Sequence, residues 1–207
     1  MLRRFLLILL CAGWLAGTAA GYLALVRHED VPGEAANPPR QWPALFPRNP
    51  KPYTLVMLAH PRCPCTQASI RDLALIMARA QGNVDAHVLF VVPAGFSAEW
   101  AQSDLWRSAE EIPGVQPHLD FGGEAARRIQ ARTSGTVVIY DRAGQLRFHG
   151  GITASRGHDG DNAGRSAVLA LLNGSDGASG SPGGSPSGSL GGTFVFGCSL
   201  FSQKERP

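Results

Sequence analysis

Two cysteines separated by a single proline are the residues of this chain best suited to chemistry. Cys63 and Cys65 flank Pro64 in the stretch HPRCPCTQAS, which follows the apolar run YTLVMLA. A cysteine pair serves either thiol–disulfide exchange or the binding of a soft metal ion, and in both the thiolate is the working form. One intervening residue is tighter than the usual two of a redox pair or the two to four of a zinc site. A bridge between Cys63 and Cys65 would close a small, strained ring, and strained disulfides are labile and oxidising.

The neighbours of the pair fit a reactive thiol. Pro64 suits the first position of a helix, where its missing N–H costs nothing. That makes Cys63 the helix cap and Cys65 the second helical residue. Unpaired N–H groups and the positive end of the helix dipole then favour a thiolate. Arg62 adds a cation, and His60 and Pro61 complete the turn.

These residues need a strand before them and a helix after them, and the sequence supplies both. YTLVMLA (53–59) and VDAHVLFVVP (84–93) read as buried strands. TQASIRDLALIMARAQG reads as a helix stopped at Gly82. SAEWAQSDLWRSAEEI and GGEAARRIQART read as two more helices. GTVVIYDRAGQLRFHGG reads as a hairpin turning at Asp-Arg-Ala-Gly, and DNAGRSAVLALLNG as a closing helix. This order predicts an α/β class, with a three-layer α/β/α domain on a mixed sheet, over residues 53–172. His87 fits the alternation of its strand as an exposed, structural residue. In such sheets chemistry gathers at the carboxyl ends of the strands, where Cys63 and Cys65 stand.

The flanks assign a compartment. Residues 1–30 open with Arg3 and Arg4, carry no charge from Phe5 to Val26, and close on Arg27, His28, Glu29 and Asp30. That uncharged run is long enough to cross a bilayer as one helix. The arginine pair keeps the N-terminus inside. The expected location is the inner (cytoplasmic) membrane, single-pass, with the soluble part in the periplasm. A cleaved signal peptide is the competing reading, with Thr18 to Ala20 as the cleavage site, although the apolar run continues past it. Residues 31–52 hold seven prolines and read as a tether. Residues 173–192 are a Gly/Ser/Pro linker, and residues 193–207 return to apolar character around Cys198. Outside the cytoplasm disulfides persist, so Cys63, Cys65 and Cys198 form an odd set. The linker is long enough to bring Cys198 across the domain as a resolving or bridging thiol.

The strand, the proline-flanked cysteine pair, the helix and the later hairpin resemble the thioredoxin superfamily, in particular its redoxin branch. HPRCPCTQAS, GGITASRGHDGDNAG and VFGCSLF together resemble the RedB-like bacterial membrane-anchored proteins. The resemblance spans residues 53–201 and implies a thioredoxin-like fold. The chain departs from the pattern at two places: the cysteine spacing, and Gly135, which stands before Thr136 where the family's cis-proline would be. The missing proline either leaves room beside the cysteine pair for another group or impairs standard dithiol exchange.

Three functions remain open on these residues. The first is thiol–disulfide exchange with a protein partner or a reductant. Cys63 attacks, Cys65 or Cys198 resolves, and no cofactor is required; a thiol peroxidase would use the same residues on peroxide. The second is Cu(I) binding or delivery by Cys63 and Cys65 with His149 or His158, as in the copper-delivery relatives that the resemblance suggests. The third is a scaffold whose cysteines only hold the tail. The HDGD stretch lacks the spaced acids of a calcium loop. A net charge of +3, dispersed along the chain, gives no case for nucleic acid.

Overall fold

The computed structural model describes residues 2–80, 82–174 and 192–201. The chain divides into two compact units, Met1–Val31 and Pro32–Pro207. The first contains α1, Leu2–Asp30, whose length and composition are those of a membrane-crossing helix.

The second unit is built on a five-stranded sheet of order β3-β2-β1-β4-β5. Its strands are β1 (Tyr53–Ala59), β2 (Val84–Val92), β3 (Val115–Phe121), β4 (Thr136–Asp141) and β5 (Leu146–Gly150). β1 lies parallel to β2 and β2 to β3, while β4 runs antiparallel to β1 and β5 to β4. β1 is therefore the centre of a mixed sheet, and the cysteine loop leaves from its carboxyl end. The helices are α2 (Pro64–Arg79), α3 (Ala98–Ala101), α4 (Asp104–Glu110), α5 (Glu124–Ile129) and α6 (Ala163–Leu172).

Alternation along the strands feeds two cores. Leu55, Met57, Val88 and Phe90 face Ile70, Leu73 and Ile76 of α2, Ala109 of α4, and Val168 and Leu172 of α6. Val56, Leu58, Leu89, Val91 and Tyr140 face Ala126 and Ile129 of α5 on the other side. Half of that second layer is extended chain rather than helix. Ala36, Trp42, Leu45 and Phe46 of the proline-rich segment pack there, as do Leu200 and Phe201 of the tail. The segment is pinned by backbone bonds: the Leu146 N–H donates to Arg40 O and the Trp42 N–H to Gly144 O, both at 2.8 Å. The Tyr140 hydroxyl donates to Pro39 O at 2.9 Å.

The structure departs from the sequence reading in three elements. β3 was not expected: Pro117 interrupts it, and its side chains are partly exposed, as suits an edge strand. The helix read over 97–112 is two short helices separated at Gln102–Ser103, and α5 covers only the middle of its expected range. His87 is buried at 3% exposure, not exposed, because this face of the sheet is also covered. Its Nε2 lies 2.9 Å from Asp85 Oδ2, and Phe46 covers its ring.

A three-sulfur candidate redox site

The helix start is as the sequence implies. Cys63 caps α2 with extended backbone angles, φ −91° and ψ 118°, and Pro64 occupies the first turn. The Thr66 N–H closes the turn on Cys63 O at 3.0 Å. Cys63 is buried, Cys65 half-buried and Cys198 exposed, and all are free thiols. The three sulfurs lie within 4.8 Å of one another.

The tail delivers Cys198 to that position through a receptacle spread over the domain. The Ser134 N–H donates to Cys198 O and the Leu200 N–H to Arg132 O, both at 2.8 Å, around an antiparallel bridge between Thr133 and Ser199. The Gly33 N–H donates to Val195 O at 2.7 Å. Val195, Leu200 and Phe201 are buried, each worth roughly 1.5–3 kcal/mol of apolar burial. Glycines clear the path. A Cβ on Gly151 would lie 2.4 Å from Phe194 O, and one on Gly123 would lie 2.4 Å from the Phe201 ring. The Arg156 guanidinium donates to Gly197 O. HPRCPCTQAS, GGITASRGHDGDNAG and VFGCSLF, far apart in sequence, thus converge on one place.

Of the three thiols, Cys63 is the acidic one. Its thiol pKa is pulled down to about 4. The main cause is the Cys198 thiol, which donates to it. Burial opposes this, and the Cys198 N–H and the Thr66 hydroxyl and N–H add to it. Burial, and then the Cys63 charge, push Cys65 up. Cys198, as donor to Cys63, is pushed up further. Cys198 is thus the protonated partner, and Cys63 the thiolate.

The other sequence candidates take supporting places. Burial lowers the His60 pKa, and its Nδ1 accepts the Arg62 N–H at 3.2 Å. Arg62 lies over Trp100 at 5.0 Å and stays exposed. Pro61 O accepts the Ser103 hydroxyl at 2.7 Å. Gly135 has φ +88°, donates its N–H to Leu58 O at 2.8 Å, and would set a Cβ 2.8 Å from Ser69 Oγ. A side chain is therefore excluded at Gly135 by both conformation and space. Thr136 is buried and donates its hydroxyl to Thr133 O at 2.7 Å. The room beside the cysteine pair is filled by the tail.

Neither histidine offered as a metal ligand belongs to the sulfur group. His149 sits beneath the start of the tail, where its carbonyl accepts the Thr193 N–H at 3.3 Å. His158 is exposed, and its ring Nδ1 lies 2.9 Å from Arg156 O. The third group beside the pair is the Cys198 sulfur. Thr66 and Ser134 were missed. Thr66 was detectable as the third residue after a helix cap; Ser134 carries no sequence signal.

A cysteine pair at the end of a central strand, in a sheet with three parallel strands and an antiparallel hairpin, decides the architecture. The domain has the thioredoxin-like fold. No protein-family model matches the chain, and neither does any curated protein. Among solved structures, the thioredoxin-like domain is similar to a hypothetical protein from Sinorhizobium meliloti. The two are 19% identical over 82% of this chain and 93% of that one, with a TM-score of 0.53. It is also similar to an uncharacterized conserved protein from Geobacillus kaustophilus, at 18% identity over 84% and 93%, with a TM-score of 0.50. A secreted Mycobacterium tuberculosis disulfide oxidoreductase matches over 58% of this chain and 81% of its own, at 14% identity and a TM-score of 0.44. The first two likenesses speak for the fold alone.

Proposed function

We propose that the protein is a membrane-anchored, extracytoplasmic thiol–disulfide oxidoreductase whose working unit is Cys63, Cys65 and Cys198. The observation that carries this reading is a buried cysteine sulfur with two further thiols within 4.8 Å, its pKa pulled down to about 4. Burial divides the labour. Cys63, at 2% exposure, cannot meet an outside sulfur directly, whereas Cys198 borders a pocket of about 190 Å³ together with Arg132 and Arg156. In the oxidised protein, with Cys63 bridged to Cys198, a partner thiolate attacks the Cys198 sulfur. The Cys63–Cys198 bond breaks, and Cys63 leaves as a thiolate. A low-pKa thiol is the better leaving group. A second partner thiolate then attacks the partner sulfur and expels Cys198, which takes a proton. The partner has lost two electrons and the protein has gained them. In the reducing direction the steps run backwards: the Cys198 sulfur, giving up its proton, attacks the partner disulfide and expels one partner thiolate, and Cys63 then attacks the Cys198 sulfur and expels the other. Cys65, within reach of both, is a second resolving thiol.

The site chemistry requires no cofactor. Its partner is a protein with a thiol or disulfide, or a small thiol reductant. Leu2–Asp30 serves as the single-pass anchor in the inner membrane, with the domain on the periplasmic side. The test is disulfide exchange with a dithiol peptide and with insulin. Cys63→Ser and Cys198→Ser should each abolish exchange, and Cys65→Ser should retain part of it. Full activity in Cys198→Ser would remove the tail from the mechanism.

The same three sulfurs support a second reading, a Cu(I) carrier. Soft thiolates select Cu(I), and three thiols within 4.8 Å of one another offer it a donor set. Cys63, Cys65 and Cys198 would hold the ion. Tight binding of one Cu(I), lost in Cys198→Ser, with no exchange activity would favour this reading over the first.

A further inference from the structure

The surface around Cys198 is strongly charged, and the exchange chemistry above makes no use of that charge. The pocket of about 190 Å³ beside Cys198 has Glu34, Arg132 and Arg156 as its charged walls. Arg156 enters from the loop between β5 and α6, and its guanidinium donates to Gly197 O, the carbonyl just before Cys198. Arg132 enters from the loop before β4, and its Nε lies 3.3 Å from Glu34 Oε1. These two side chains are 38% and 61% exposed, so water loosens their pairing. A second recess of about 430 Å³ shares Glu34 and Arg132 with the first. It adds Arg127, whose guanidinium lies over the Phe201 ring at 5.1 Å. Among the described residues lining the two recesses, three arginines stand against one carboxylate.

That balance sets what can approach the sulfur. With Glu34 set against Arg132, the surface still carries positive charge at both ends, at Arg156 and at Arg127. Guanidinium groups present planar N–H forks that match a carboxylate. A partner whose sulfur meets Cys198 brings the groups a few bonds from that sulfur into the smaller pocket. A carboxylate there is attracted, and an ammonium is repelled. The smaller pocket has room for a short side arm, not for a whole ligand. Reaching Arg127 as well takes a chain that continues past Arg132 into the second recess. An extended polypeptide with acidic residues on either side of its cysteine meets both demands.

We infer that the partner is a polypeptide disulfide or dithiol whose cysteine is flanked by acidic residues, with Arg156 and Arg132 setting the preference and Glu34 moderating it. The inference rests on the exchange reading in treating Cys198 as the sulfur that meets the partner. With reduced protein and such a disulfide, the Cys198 sulfur gives up its proton and attacks the sulfur of the acidic peptide. The partner S–S bond breaks, and one peptide leaves as a thiolate. Cys63 then attacks the Cys198 sulfur and expels the second peptide. The partner gains the two electrons that the protein loses. The arginines make and break no bond; they hold the carboxylates of the attacked half.

The test uses the reduced full-length protein and two peptide disulfides that differ only in the residues beside the cysteine, Asp in one and Asn in the other. Each rate is divided by the rate at which dithiothreitol reduces the same peptide, which removes differences in intrinsic reactivity. The Asp peptide should react roughly fivefold faster than the Asn peptide at low ionic strength, and about 0.5 M salt should erase most of the difference. Arg156→Gln and Arg132→Gln should each narrow the gap several-fold, and Arg156→Lys should keep part of it. Glu34→Gln, which retains the backbone carbonyl that accepts the Thr133 hydroxyl, should widen it. Equal rates for the two peptides, or glutathione disulfide outrunning the Asp peptide, would overturn the inference and leave the exchange reading standing. A second readout needs no exchange: peptide-resolved alkylation of Cys198 by iodoacetate and by iodoacetamide at one pH. The two reagents lose iodide to the same sulfur and differ in charge. Their rate ratio, taken against wild type so that the charge of neighbouring sulfurs cancels, should fall in Arg156→Gln and rise in Glu34→Gln. That pattern with no peptide oxidising the protein would sink the exchange reading and keep the carboxylate preference. Should Arg156→Gln dislodge the tail, Glu34→Gln decides alone: a ratio no higher than wild type would sink the inference.

Discussion

Cys63 owes its acidity to hydrogen-bond donors more than to cations. Arg62, the cation the sequence offers, is turned onto Trp100, while the Cys198 thiol and N–H and Thr66 supply the stabilisation. The consequence for stability has a definite sign. A depressed pKa contributes stability that is complete above the ordinary thiol value near 9 and is lost as pH falls toward about 4. Cys198, whose pKa is raised, opposes this above that range. Chemical denaturation of the reduced protein should therefore show stability rising from about pH 4 toward 9, with a clearly flatter profile in Cys63→Ser. Equal slopes would mean that the thiolate does not reside on Cys63. At this scale Cys63, Pro64 and Cys65 could be read from the sequence, because a helix start has residue preferences. Ser134 could not, because its role depends on a loop brought alongside the helix cap by the pairing of β1 with β4.

The tail and its receptacle are matched across elements. Gly151 lies against the tail backbone, and a Cβ there would fall 2.4 Å from Phe194 O and 2.8 Å from Val195 Cα. Gly151→Ala should dislodge the tail, so that Cys198 alkylates several-fold faster and the Cys63 midpoint climbs above about 4. Unchanged alkylation would show that the tail is held elsewhere. On the same face, Tyr140→Phe removes the bond to Pro39 O and should cost about 1 kcal/mol in the unfolding free energy. Burial pushes the Tyr140 hydroxyl up to about 12, so this bond should persist through neutral and mildly alkaline pH. The sequence disclosed β1, β2, the hairpin and α6 because each is a continuous apolar or amphipathic run. It hid β3, where a proline and exposed side chains break the pattern, and it misplaced His87, because alternation signals exposure only when one face of a sheet meets water.

At the scale of the whole molecule, a tail from the far end of the chain completes a site begun at residue 60. The sequence posed this as an odd third cysteine, and its apolar neighbours marked it for docking. The chemistry of the pair and a third thiol offered by the tail could be read; which of Cys198, His149 and His158 stands beside the pair could not, since that depends on where the β5–α6 loop and the tail meet. Ending the chain after Gly192 should leave a folded domain of lower melting temperature, with Cys63 titrating nearer an ordinary thiol. The central claim is that Cys63 and Cys198 form an exchanging pair within one molecule. The most direct measurement equilibrates the protein in glutathione buffers, quenches it with acid, and maps disulfides by mass spectrometry. The account predicts an intramolecular Cys63–Cys198 bridge that appears and disappears reversibly as the buffer ratio is varied. A Cys198 that stays free at every ratio, or bridges only between molecules, would contradict it.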